Sequence, residues 1–230
     1  LFDASSAPTV TFRDLTLRSG NSGSLAGGAI NGQTVSVLRS YLYGNQGFQG
    51  GAIWANVALT ITESTFEGNS TANNGGVAYL QVASGPAVLS ATNSTFVDNT
   101  MGTNGSDVGG ALIALSVDDD ATVTLTNDTF VSPDAYVGYG GLIGVMGLGG
   151  GKTSTLDATD TIFVGGSCWL YPGTTVVVDN GTNFPTYGGI NRNASGNSAF
   201  QGQYINLGSG TFSVPTTGFT RKTMANLLAY

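Results

Sequence analysis

The sequence predicts an all-β fold: a single-stranded right-handed parallel β-helix, or β-solenoid, of about seven or eight coils with three short strands per coil. Three observations predict it. A glycine-rich phrase recurs along the chain and always ends on a large apolar residue, often followed by Asn. Within each phrase apolar and polar residues alternate with a period of two, the mark of a strand with one buried face. Long amphipathic helical windows with caps are absent before the last ten residues.

The phrase opens on paired glycines at Gly27-Gly28, Gly50-Gly51, Gly75-Gly76, Gly109-Gly110 and Gly140-Gly141. Two small or apolar residues follow each pair, as in Ala29-Ile30 and Ala52-Ile53, and predict the first strand of a coil. The second strand is the Thr-x-Thr stretch. In "ALTITESTF", Leu59 and Ile61 face one way and Thr60 and Thr62 the other; "ATVTLTNDTF" repeats this with Val123 and Leu125. The third is short and centres on Leu17, Leu42, Phe66, Phe96, Phe130 or Phe163, with Asn45, Asn69 and Asn99 closing three of the six. A unit this small cannot bury its inward face alone, so the units should stack, each strand pairing with its counterpart in the next. Leu17, Leu42, Phe66, Phe96, Phe130 and Phe163 then form one interior column. The spacing is uneven because segments such as "MGTNGSDV" and "GLGGGK" fall at corners, where loops lengthen without breaking the ladder.

Residues 1–166 form the regular coils on this reading. Residues 167–230 lose the paired motif and keep short strand-like runs, "TTVVVDN", "QYINLGSG" and "TFSVP". They read as less regular terminal coils of the same domain and a tail. In "TRKTMANLLAY", Met224, Leu227 and Leu228 have the spacing of a short terminal helix. Before the first strand stands "LFDASSAP", without an amphipathic helix to cap the open end. Leu1 and Phe2 are the candidates for packing on the first coil or on another subunit.

Composition restricts the chemistry. Charged residues are 9 % of the chain, against roughly 25 % in ordinary globular proteins. The net charge is −7 with only seven Lys and Arg, which argues against nucleic acid and against anionic membrane surfaces. No run is long enough for a transmembrane helix. There is no His, so the commonest general base and the commonest transition-metal ligand are missing. Cys168 lacks a partner and reads as a buried inert thiol. No cofactor is expected.

Gly-Gly-Ala-Ile followed by Phe-x-x-Asn resembles the repeat of the chlamydial polymorphic membrane proteins. The match is full around Gly27, Gly50 and "FEGN", partial at Gly75 and Gly109, and weak at Gly140. The resemblance implies a right-handed β-helix exported and displayed on a surface as an adhesin. The translocator barrel of such proteins is absent from the sequence.

The expected function is therefore a non-catalytic extracellular structural or adhesive module, including the repeating subunit of a filament, with itself or a cell-surface carbohydrate as partner. One alternative is a carbohydrate-active enzyme of the β-helix type, a polysaccharide lyase or hydrolase; Asp157 and Asp160 can project on one face beside Asp128 of the previous coil, with nothing to single them out from ordinary turn acids. Another is an ice-binding β-solenoid, whose Thr-x-Thr ladder the outward columns resemble: Thr11, Ser36, Thr60, Ser90, Thr124, Asp157, and Arg13, Leu38, Thr62, Thr92, Thr126, Thr159. Asp118, Asp119 and Asp120 read as a corner loop and as a weak Ca²⁺ candidate. Sequons at Asn69, Asn93, Asn104, Asn127, Asn180 and Asn193 are glycosylation candidates. Asn69 is the poorest of them, because the closing Asn should turn inward.

Overall fold

The computed structural model describes residues 1–102, 110–131, 142–148, 151–164 and the strand segments 168–170, 175–178, 205–206 and 211–213. All regular structure in them is β-strand, and every pairing between strands is parallel.

Three long strands begin the chain: β1 (Phe2–Arg13), β3 (Ile30–Leu38) and β6 (Ile53–Thr62). β3 lies between the other two. Beyond β6 each long strand is replaced by two short ones. One ladder runs β6, β9 (Ala78–Val82), β12 (Leu112–Ser116), β15 (Ile143–Gly147), β18 (Cys168–Leu170), β20 (Ile205–Asn206). The other runs β6, β10 (Ala87–Thr92), β13 (Ala121–Thr126), β16 (Ser154–Thr159), β19 (Thr175–Val178), β21 (Thr211–Ser213). Together they are one 13-stranded sheet. A six-stranded sheet holds the short strands β2 (Thr16–Arg18), β4 (Tyr41–Tyr43), β7 (Thr65–Glu67), β11 (Thr95–Val97), β14 (Thr129–Val131) and β17 (Ile162–Val164). A two-stranded sheet pairs β5 (Gln46–Gly47) with β8 (Ser70–Thr71).

This corrects the expected fold class. The β-helix reading put three separate short strands in every coil. Instead the Gly-Gly-Ala-Ile strand and the Thr-x-Thr strand are continuous in the first units, and all their successors belong to one sheet. The result is a nearly closed, barrel-like parallel wall around the main core. The physical reason lies between the two strands. In β3 a register shift between Gly32 and Thr34 bends the strand without ending it, as a bulge does. Later units insert residues that demand a turn, such as Ser84-Gly85-Pro86 before β10, and there the strand breaks. A second correction concerns "LFDASSAP", expected to precede the first strand. From Phe2 onward it lies within β1, where Phe2, Asp3 and Ala4 pair with Ile30, Asn31 and Gly32.

The paired glycine has two distinct causes. Gly27, Gly50 and Gly75 have φ of 69°, 67° and 69°, a left-handed conformation that glycine adopts freely. Their successors need close approach: a Cβ on Gly51 would overlap the carbonyl oxygen of Gly76, and one on Gly76 that of Gly110.

Inside, Leu17, Leu42, Phe66, Phe96, Phe130 and Phe163 follow one another in register across the six-stranded sheet. Leu17 is half-buried; Leu42, Phe66, Phe96 and Phe130 are buried. The rings of Phe66 and Phe96 stack at 5.2 Å and those of Phe96 and Phe130 at 4.4 Å, with their planes nearly parallel. The Phe163 side chain lies outside the described residues, as do the Cys168 side chain and the expected terminal helix.

Candidate functional site

Two corners flank the phenylalanine strand, and both are built on left-handed residues. Asp14, Arg39, Glu63, Asn93, Asn127 and Asp160 form the first corner, with φ between 45° and 56°. Ser19, Gly44, Gly68 and Asp98 form the second. Behind each corner a polar column turns into the interior. At the second, Asn45, Asn69 and Asn99 are buried. Asn69 Oδ1 accepts from the backbone N–H and the amide of Asn45, at 3.0 and 2.9 Å. Its own amide donates to Leu42 O at 2.9 Å and Asn99 Oδ1 at 3.0 Å. Backbone groups freed by the turn are thereby satisfied inside the wall, where leaving them unpaired would be costly.

At the first corner the column reads Ser40, Ser64, Ser94, Asp128, Thr161, all buried. Each hydroxyl donates to the carbonyl two residues back, as Ser64 does to Thr62 and Ser94 to Thr92. Ser40 and Ser64 oxygens accept an N–H from the preceding unit, and Ser94 does the same for Ser64. Asp128 stands in this hydroxyl column as a carboxyl group, 1 % exposed. It accepts from the N–H of Ser94 at 2.7 Å and of Thr126 at 3.0 Å. Burial outweighs those two bonds and pushes its pKa up to about 7.

This placement corrects the carboxylate trio of the enzyme alternative. Asp128 points into the core, Asp160 is exposed at the corner and Asp157 stands half-exposed in a threonine column, so the three do not share a face. The Ca²⁺ candidate is corrected too. Asp119 pairs with Lys152 at 2.9 Å, and that ammonium holds its carboxyl below the usual range. Asp118 accepts from Gly85 N–H and Asp120 from Thr153 N–H, at 3.0 and 2.7 Å. The three carboxylates thus serve as separate corner bonds, and among the described residues no group of three or more ligating side chains converges. Among the sequons, Asn69 is removed because it is 0 % exposed with both amide hydrogens donated. Asn93 and Asn127 are exposed at the first corner. Asn104, Asn180 and Asn193 lie outside the described residues. The two outward columns run in register from Thr11 to Asp157 and from Arg13 to Thr159, with Val57 and Val88 exposed on the same wall.

The N-terminal end is the most distinctive surface. Among the described residues β1 pairs with β3 alone and β2 with β4 alone, so a twelve-residue strand presents one unpaired parallel edge. Val10, Leu15 and Leu17 behind it are only partly buried. Phe2 meets Phe12 edge-on at 5.5 Å, yet Leu1 and Phe2 remain 53 % and 54 % exposed. The chain matches no family model, no curated protein and no solved structure.

Sequence reasoning missed two features. An apolar cluster of Trp54, Tyr79, Ile113, Leu115 and Met146 is distinct from the main core. Burial there lifts the Tyr79 hydroxyl to about 12. The signal was present in "GGALIAL", which does not alternate, as expected of a strand buried on both faces. The other is Asp128, legible in the alignment of "ESTF", "NSTF" and "NDTF". No helix of the described residues is long and apolar enough to cross a membrane.

Proposed function

We propose that this chain is a non-catalytic extracellular module, structural and adhesive, that joins copies of itself head to tail. The observation that carries the reading is the edge of β1 that no other strand of the described residues pairs, beside exposed Leu1 and Phe2. An edge strand with unpaired N–H and C=O groups is a template for another strand. Protection of the edge is confined to the register shift between Ala4 and Thr9, with Pro8 inside it, and to the charges of Asp3 and Arg13, which leaves Thr9 to Phe12 as an uncharged stretch in regular register. A contact between this end and a different surface of a second copy is heterologous and extends into a filament when its rotation does not close. Display outside the cell is supported by the exposed sequon asparagines Asn93 and Asn127 and by the Gly-Gly-Ala-Ile and Phe-x-x-Asn motifs shared with the chlamydial surface proteins.

Deleting Leu1 to Pro8 tests the reading. The intact chain is expected to form elongated particles in negative stain and to sediment faster with rising concentration; the deletion is expected to remain monomeric. Monomers from the intact chain at high concentration overturn the assembly.

A further inference from the structure

This inference rests on the adhesive reading and gives it a ligand. Charged side chains are scarce, yet both glutamates of the chain, Glu63 and Glu67, converge with Arg18 and Arg39 on one surface around Tyr41 and Tyr43. The two tyrosines project outward from β4 with rings stacked at 4.8 Å and 27°. The Tyr41 hydroxyl donates to the Glu67 carboxylate, and Arg18 Nη1 donates to the Tyr43 hydroxyl at 2.9 Å. Stacking and both bonds hold the rings upright, which removes the entropy cost of ordering them on binding.

Tyr41 is one wall of an open cleft of about 520 Å³ whose other walls include Asp14, Leu15, Arg39, Ser40 and Glu63. Arg39 is fixed by two bonds to Asp14, from Nε at 2.7 Å and Nη2 at 2.8 Å. Arg39 and Glu63 both line the cleft, and neither the Arg39 Nη1 nor the Glu63 carboxylate takes part in a hydrogen bond among the described residues. Arg39 and Glu63 also sit at φ of 45° and 48°. Long side chains tolerate that region poorly, and other units place Asp or Asn at the same corner. Both of these strained residues border the cleft, beside Asp14 of the same corner column.

We propose that this cleft binds a hexopyranose unit of a neutral glycan, its C–H face on the Tyr41 ring and its hydroxyls on Arg39 and Glu63. An aromatic face takes a polarised C–H surface. A paired donor and acceptor match adjacent hydroxyls, which both donate and accept. Acids and bases are nearly balanced around the cleft, which favours a neutral ligand over a polyanion or a polycation. The cleft is shallow, so a single site is weak, and repetition along an assembly supplies avidity.

The test is binding of the full chain to immobilised laminarin, galactan, mannan, cellohexaose and chitohexaose, followed by titration calorimetry with the best of them. Wild type is expected to bind at least one. Tyr41→Ala and Glu63→Gln are each expected to weaken it about tenfold or more, while Tyr41→Phe keeps the ring and most of the affinity. Unchanged thermal unfolding of Glu63→Gln separates loss of the site from loss of the fold. Binding that survives both Tyr41→Ala and Glu63→Gln overturns the proposal. So does a wild type that binds none of the five. If that wild type still assembles and adheres to cells, the adhesive reading stands without this site; if it does neither, both fall.

Discussion

At the scale of single residues, the interior polar columns decide what is tolerated. Asp128 replaces a hydroxyl that donates to a carbonyl, and only its protonated form can donate as Ser94 and Thr161 do. Its folded pKa of about 7 stands above the roughly 3.9 of an unfolded Asp. The folded state therefore holds the proton more tightly. Stability from this group is full below about pH 4 and is lost as pH rises through about 7. Asp3, Asp14 and Asp119 have lowered pKa values through Ser5, Arg39 and Lys152, so their opposite effect falls below about pH 4. Among the carboxyl groups of the described residues whose pKa shifts, Asp128 is the one whose window lies above that range. Thermal unfolding is expected to give a higher Tm at pH 5 than at pH 8, and Asp128→Ser should flatten that difference. An equal slope in the variant would place the titration elsewhere. Asn69→Ala strands the carbonyl of Leu42 and the N–H of Asn45; it should cost about 1–3 kcal/mol in denaturant melts.

At the scale of elements, register was legible in the sequence and strand continuity was not. Paired glycines and phenylalanines mark equivalent points, so aligning them yields the in-register pairs from Leu17 to Phe163. Whether two adjacent strands fuse depends on a bulge at Gly32 or a turn at Ser84-Gly85-Pro86, and alternation reads alike in both cases. The cleft beside Tyr41 was illegible for another reason: Asp14, Arg39 and Glu63 come from three units and meet only through stacking. The same stacking sets the cost of substitutions. Phe96 lies between two parallel rings, so Phe96→Ala opens a cavity bounded on both sides and should cost about 3–5 kcal/mol in urea melts. Gly51→Ala drives a Cβ against the backbone of Gly76 and Ser70, which cannot yield without splaying the ladder; a loss above about 2 kcal/mol is expected. Gly44 has no atom near its Cβ position and shares its corner column with Asp98, so Gly44→Asn should stay within about 1 kcal/mol of wild type. An equally small loss at Gly51 would mean that the wall yields to the added Cβ and that close approach does not fix this glycine.

At the scale of the whole molecule, a parallel wall differs from a sealed barrel in having strands with one neighbour, and β1 and β2 are such strands. Contact at that edge would add backbone hydrogen bonds and cover Leu1, Phe2 and the partly buried Val10, Leu15 and Leu17. Such a contact requires the folded edge, so it binds the native state and not the unfolded chain. Linkage then makes stability depend on protein concentration, since each bound copy acts as a ligand of the next. The expected result is a Tm that climbs as concentration rises a hundredfold, with a Leu1–Pro8 deletion showing no such trend. Salt separates this contact from an electrostatic one. Charged residues are 9 % of the chain and the net charge is −7, so copies repel weakly and screening relieves that repulsion. Association through apolar and backbone groups should therefore hold or strengthen between 50 mM and 500 mM NaCl, whereas pairing of opposite charges would weaken. A concentration-independent Tm for the intact chain, or assembly that dissolves in salt, would remove the β1 edge as the joining surface.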